Sequence, residues 1–228
     1  MTKKFLTRHD LDVALALRVA DQLETDILLN GRATVVVSGG RTPIGFFKQL
    51  AEQDIAWDRV SVTLADERWL DASHSDSNER LVRENLLTRC AADASFIPLK
   101  NMATSARRGQ KELAGCLKQV GMFSVVVLGM GDDGHTASLF PGMANLSKGL
   151  DMGSGLDCLA TSPVAAPHER MTLTLPRLLR SASVFVHLTG QSKLQMLEKV
   201  LAGRDIYEFP IRSVLQQKLT NVEIFYCD

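Results

Sequence analysis

From Leu11 onward the apolar residues Leu11, Ala14, Leu15, Leu17, Val19, Leu23, Ile27 and Leu28 are interleaved with polar and charged ones. That pattern predicts a long amphipathic helix, capped by Asp10 and ended by Asn30-Gly31. The pattern then changes. Ala33 to Val37 is a continuous run rich in valine, which predicts a strand buried on both faces. Ser38-Gly39-Gly40-Arg41-Thr42 breaks it, and Pro43 is suited to the first position of a helix carrying Phe46, Phe47 and Leu50.

Further along, Val60 to Ala65 predicts a second strand that ends in Asp66-Glu67-Arg68, and a polar loop follows from Asp71 to Asn78. Helices are expected over Glu79–Cys90 and Ser105–Val120, with Phe96–Leu99 extended between them. Phe123–Leu128 is a third strand, continued without a gap by Gly129-Met130-Gly131-Asp132-Asp133-Gly134-His135. Asn145–Gly155 reads as glycine-rich and irregular, and Cys158–Thr161 and Met171–Leu175 as extended. Val184–Leu188 is a strand, followed by Thr189-Gly190-Gln191-Ser192-Lys193 and a helix through Leu201. A helix over Arg212–Gln217 and a strand over Val222–Tyr226 close the pattern.

Strands alternating with helices predict βαβ units and a mostly parallel sheet, the α/β class. Without a repeat, linker or low-complexity tract, residues 1–228 read as one domain. Lys+Arg and Asp+Glu are both 26, so no net field exists to hold nucleic acid or an anionic membrane. No apolar run approaches the ~20 residues of a membrane span, and no signal-peptide pattern opens the chain. The four cysteines show no CxxC spacing, as expected of free thiols in a reducing compartment. A cytoplasmic location is the expectation.

In an open α/β sheet, ligands bind beyond the carboxyl ends of the strands. Four polar segments begin where strands end: 38–43, 66–68, 129–135 and 189–193. A parallel sheet would line them along one rim. Gly39, Gly40 and Thr42, with the helix start at Pro43, can bind an anion through backbone amides and a hydroxyl; the same residues can also form a plain glycine turn. The run is neither a Walker A loop nor GxGxxG. Lys193 falls in the first turn of a helix, where a cation opposes the helix dipole unless an anion is present; a solvated surface lysine is the other reading.

His135 is suited to proton transfer near neutral pH, with Asp132 or Asp133 to orient it. A surface histidine, or a metal held by Asp132, Asp133 and His135, is the alternative, although no zinc-type spacing is present. Asp66-Glu67-Arg68 can supply an acid and a cation, or a solvated strand end. His9, His74 and His168 fall in polar segments, and His187 reads as a satisfied core histidine. Ser38 lacks a GxSxG elbow.

The run Gly129–Gly142, GMGDDGHTASLFPG, closely resembles the signature of the 6-phosphogluconolactonase family. Shorter agreements follow the family's order: Ser38-Gly39-Gly40, Thr42-Pro43, Asp66-Glu67-Arg68, Ser77-Asn78, Arg83-Glu84, Leu86-Leu87, Arg170-Met171-Thr172-Leu173-Thr174 and Gly190-Gln191-Ser192-Lys193. The resemblance implies a three-layer, Rossmann-like, mostly parallel sheet flanked by helices, like that of glucosamine-6-phosphate deaminase. It implies hydrolysis of 6-phospho-D-glucono-1,5-lactone, the second step of the oxidative pentose phosphate pathway, without cofactor or metal. The only partner implied is the sugar phosphate lactone, and the expected state is a monomer or weak homo-oligomer.

On this resemblance His135 acts as the general base, Asp133 orients it, and Arg68 with amides near Gly129 and Gly131 stabilises the oxyanion. The phosphate falls to Gly39, Gly40, Thr42 and Lys193, with Arg41 and Arg170 as helpers and Asp66 on the rim. Arg41 is a departure, because the family often has Ser there. The related deaminases typically carry a Glu at the position of Phe140 and a Tyr at that of Arg68. A non-catalytic sugar-phosphate sensor is the remaining alternative.

Overall fold

The computed structural model describes residues 2–163 and 167–228. Its elements run β1 (Thr2–Phe5), α1 (Arg8–Asn30), β2 (Ala33–Val37), α2 (Ile44–Ala51), β3 (Val60–Leu64), β4 (Asp66–Arg68), α3 (Asn78–Asn85), β5 (Ser95–Ile97), α4 (Ala106–Gln119), β6 (Phe123–Leu128), α5 (Leu146–Leu150), β7 (Cys158–Thr161), β8 (Arg170–Leu173), α6 (Leu175–Leu179), β9 (Ser181–Thr189), α7 (Gln191–Ala202), α8 (Arg212–Leu215) and β10 (Asn221–Cys227).

Seven strands form one sheet in the order β1-β10-β9-β6-β2-β3-β5, and every pairing in it is parallel. All residues of β6 are buried. Successive side chains point to opposite faces, so both faces of the sheet centre are covered. This is the expected three-layer α/β arrangement. The strand order reverses between β2 and β6: β3 and β5 extend one way from β2, while β9 and β10 extend the other way from β6. A crevice opens at such a switch point, beyond the carboxyl ends.

A second sheet, β4-β8-β7, is antiparallel. The alternation pattern did not reveal it, because its strands are three or four residues long and pair segments far apart in sequence. Ala65 joins the two sheets. Its N–H donates to the Val37 carbonyl, and its own carbonyl accepts from Leu173. β4 therefore leaves the main sheet directly at the carboxyl end of β3.

Several boundaries differ from expectation. Thr7, not Asp10, caps α1; its hydroxyl accepts from the Asp10 N–H and donates to the Asp10 carboxylate. Pro43 is the residue before α2 rather than its first. The helix expected to reach Cys90 ends at Asn85, and a 3-10 turn covers Arg89–Asp93. Within Asn145–Gly155, residues Leu146–Leu150 are helical. Leu175 is not extended but opens α6, with Pro176 in its first turn. The unforeseen β1 pairs only with β10, and Lys3 and Lys4 give it the charge common to edge strands.

Candidate functional site

The four polar segments follow β2, β3, β6 and β9, which are neighbours in the sheet. All four contribute to a cavity of about 240 Å³. Its walls include Ser38, Gly39, Gly40, Thr42, Asp66, Arg68, Asn78, Gly129, Gly131, His135, Arg170, His187 and Lys193. One-sided convergence follows from parallel pairing, since every strand delivers its carboxyl end to the same edge.

The loop after β2 is shaped by close approach. A Cβ on Gly39 would lie 1.9 Å from Asn78 Oδ1, and Gly40 has φ +94°, where side-chain-bearing residues are strained. Asn78 Nδ2 donates to the Asp66 carbonyl at 2.8 Å, which ties α3 to β4 and fixes the side chain that crowds Gly39. Arg8 of α1 donates to the carbonyls of Arg41 and Thr42, fixing the loop from behind. The Arg41 side chain is exposed and is not part of the cavity wall. Of the two orientations open to Arg41, toward the anion loop or into solvent, this structure shows the second.

The loop after β6 is a tight turn. Gly134 has φ +74°, and a Cβ there would meet the Phe209 ring at 2.6 Å. The His135 Nδ1 lies 2.5 Å from Asp133 Oδ1, which also accepts from the His135 backbone N–H. The bond to His135 holds the Asp133 carboxyl below the usual range, against the effect of burial. With Nδ1 engaged, Nε2 is the nitrogen left for chemistry. The His135 ring packs on Phe140, centroids 4.1 Å apart. The Gly131 N–H donates to the His135 carbonyl, so it closes the turn and is not a free oxyanion donor.

Asp132 does not join Asp133. It turns to Lys193, Oδ1 to Nζ at 2.6 Å. Asp132 thus turns away from the contact between Asp133 and His135, and among the described residues no three His, Cys, Asp or Glu side chains gather to hold a metal ion. Lys193 lies in the first turn of α7, its N–H bonded to the Gly190 carbonyl.

The small sheet brings in the arginines. Arg68 and Arg170 are register partners across β4 and β8. The Arg68 Nη1 donates to the Asp76 carbonyl, while the buried Nε atoms of both arginines have no hydrogen-bond partner among the described residues. Arg170 Nη1 sits 3.5 Å from Asp66 Oδ2, and its guanidinium lies over Phe140. Burial lowers its pKa, partly offset by Asp66. Asp66 also accepts from Ser138 Oγ at 2.5 Å.

Glu67 is buried and points away from the rim. It accepts from the N–H groups of Arg68, Asn78 and Glu79 and from the Ser77 hydroxyl, so it anchors the start of α3.

The sequence placed Asn78 in the family resemblance without a role, and His187 read as a satisfied core histidine. His187 lines the cavity, yet neither ring nitrogen has a hydrogen-bond partner among the described residues, so it is not a satisfied core histidine. Its place in an apolar strand hid this, whereas the close pairing of Asn78 with Gly39 had no sequence signal at all.

Residues 7–223 match the family model described as glucosamine-6-phosphate isomerases/6-phosphogluconolactonase. A 6-phosphogluconolactonase of Pseudomonas putida is 41% identical over 221 residues, covering 95% of this chain and 88% of that protein. The crystal structure of a 6-phosphogluconolactonase from Shewanella baltica superposes with a TM-score of 0.97 at 43% identity, covering 100% of this chain and 97% of that one. A monomeric glucosamine-6-phosphate deaminase shares the fold, with a TM-score of 0.82 at 17% identity over 98% of this chain and 96% of that one.

Proposed function

Because the chain belongs to the family of glucosamine-6-phosphate isomerases and 6-phosphogluconolactonases, we infer that it hydrolyses 6-phospho-D-glucono-1,5-lactone to 6-phosphogluconate. This is the second step of the oxidative pentose phosphate pathway. The observation that carries the reading is the cavity at the β2/β6 switch point, with a buttressed histidine on one side and an anion-type loop on the other. Phe140 favours the lactonase over the deaminase branch. It presents a hydrocarbon ring beneath His135 where ring opening and proton transfer at C2 would call for a further acid. Among the described residues no helix is long and apolar enough to cross a membrane; the reading places the protein in the cytoplasm, as a monomer or weak homo-oligomer.

The substrate phosphate sits on Gly39, Gly40 and Thr42 at the start of α2, with Lys193 facing it from α7. Lys193 arrives already paired with Asp132, so the phosphate competes with that carboxylate for the ammonium. Holding the remote phosphate places the lactone carbonyl against His135. His135 Nε2 takes a proton from water as the water oxygen bonds to C1. The guanidinium groups of Arg68 and Arg170, which line the cavity, stabilise the developing oxyanion. This extends the role of Arg170, first assigned to phosphate. The tetrahedral intermediate collapses, the bond from C1 to the ring oxygen breaks, and His135 returns its proton to that oxygen. The new carboxyl group then ionises in solution.

The test is the rate of hydrolysis of freshly generated 6-phosphogluconolactone, corrected for spontaneous hydrolysis, with a metal chelator present and glucosamine 6-phosphate run in parallel. Turnover that disappears in His135→Ala is expected. Ammonia release from the amino sugar, or binding without turnover, would replace the reading with a deaminase or a sensor.

A further inference from the structure

Beneath the loop assigned to phosphate lies a pair of buried ionisable groups that the reaction does not use. Asp12 of α1 and His187 of β9 are each 4% exposed, and His187 Nε2 lies 3.5 Å from Asp12 Oδ1. That separation is too long for a hydrogen bond, and neither atom has another hydrogen-bond partner among the described residues. The other Asp12 oxygen faces the start of α2. A Cβ on Gly45 would lie 1.9 Å from it, and the Phe46 N–H is directed at the carboxylate. His187 packs edge-on against Phe46 and also forms part of the cavity wall. Asp12 thus occupies, from inside the protein, the same helix N-terminus that offers its amides to the ligand from outside.

Two anions at one helix end oppose each other, and their repulsion is strong where water is excluded. A bound dianion beside this carboxylate favours its protonated form. The neighbouring imidazole, with two vacant nitrogens, can share that proton. We propose that Asp12 and His187 form a proton-accepting pair under the phosphate loop, and that binding of the sugar phosphate strengthens the pair's hold on a proton, so that protons are drawn onto it from solvent. The inference rests on the assignment of the phosphate to Gly39, Gly40, Thr42 and Lys193.

Burial pushes the Asp12 carboxyl up to about 6, opposed by Arg8, His9 and the Phe46 amide. Burial, helped by Arg8, drives His187 down to about 3. The unliganded pair is therefore poised to gain a proton just below neutrality. The other groups facing it are Arg8 and His9 on α1, the Cys227 thiol on β10, which burial keeps protonated, and Lys193 on the cavity side with its partner Asp132.

Calorimetric titration with the product 6-phosphogluconate tests the proposal, run at about pH 7.5 in two buffers of different ionisation enthalpy so that proton uptake is read directly. The wild type takes up a fraction of a proton. Asp12→Asn keeps the shape and a carbonyl acceptor; it takes up less, and it binds roughly threefold or more tighter than the wild type at about pH 8, the difference closing toward about pH 5. His187→Gln also reduces uptake. Lys193→Ala serves as the control for the underlying assignment. If it leaves affinity unchanged, the phosphate is elsewhere and both readings fall. If it weakens binding while uptake and affinity are the same in wild type and Asp12→Asn, only the role of the pair is overturned.

Discussion

The Asp133 carboxylate and the His135 imidazole face each other across a two-residue turn, Oδ1 to Nδ1 at 2.5 Å. The contact fixes the tautomer and leaves Nε2 toward the cavity. His135→Ala should therefore lower kcat by about 10²–10⁴, the usual range for general base catalysis. Asp133→Asn should lower kcat by roughly tenfold and leave KM near its wild-type value. Lys193→Ala should instead raise KM by about tenfold or more, the worth of one charge-assisted hydrogen bond. Steady-state kinetics separate these cases; losses confined to KM in all three variants would remove the assigned roles.

Phe140 supports the same imidazole from below and touches the Arg170 guanidinium on its flank. Phe140→Leu keeps the volume apolar but removes the flat ring. The expected result is a fall in kcat of roughly fivefold with little change in thermal stability, because volume-conserving apolar exchanges usually cost under ~1.5 kcal/mol. A Tm drop that accounts for the activity loss would make Phe140 a packing residue only.

Gly39 tolerates no side chain, because Asn78 fills the space a Cβ needs. Gly39→Ala should cost about 1–3 kcal/mol, as overpacking does, and raise KM by displacing the loop. Adding Asn78→Ala should restore part of the stability but not the affinity, since the tie from Asn78 to the Asp66 carbonyl is then lost. Denaturant unfolding of the single and double variants measures the coupling.

Asp12 gives a pH-dependent stability. Its folded pKa, about 6, lies above the usual carboxylate range. A raised value means the fold favours the protonated form, so the contribution is complete below the unfolded pKa and is lost as pH rises through about 6. Asp12→Asn has no such titration. Its unfolding free energy should approach that of the wild type near pH 4 and exceed it at about pH 8, a gap on the order of 1–3 kcal/mol. A gap that is constant with pH would assign Asp12 an ordinary packing role.

The parallel sheet was legible because its inner strands are short valine-rich runs, and a strand buried on both faces needs nothing else. The rim was legible because parallel strands all deliver their ends to one edge, so motifs at 38, 66, 129 and 189 had to meet. What stayed hidden depended on contacts across the sequence. β7 and β8 read as extended, but their pairing with each other and with the three-residue β4 left no period to read, Arg41 faces solvent although its neighbours line the cavity, and Gly131 spends its N–H on closing its own turn. His187 looked like core because it is core; only the space beside it shows that its nitrogens are vacant.

The order β9-β6-β2 has a metrical consequence. Adjacent strands stand ~4.8 Å apart, and a close-packed sheet cannot stretch that spacing. With the anion loop on β2, the lysine beyond β9 and the base on β6 between them, the floor of the cavity works as a ruler graduated in strand widths. On the proposed roles, a lactone would be accepted when the reach from its phosphate to its carbonyl matches that graduation. Sugars one carbon shorter or longer would dock their phosphate correctly and present the wrong atom to His135.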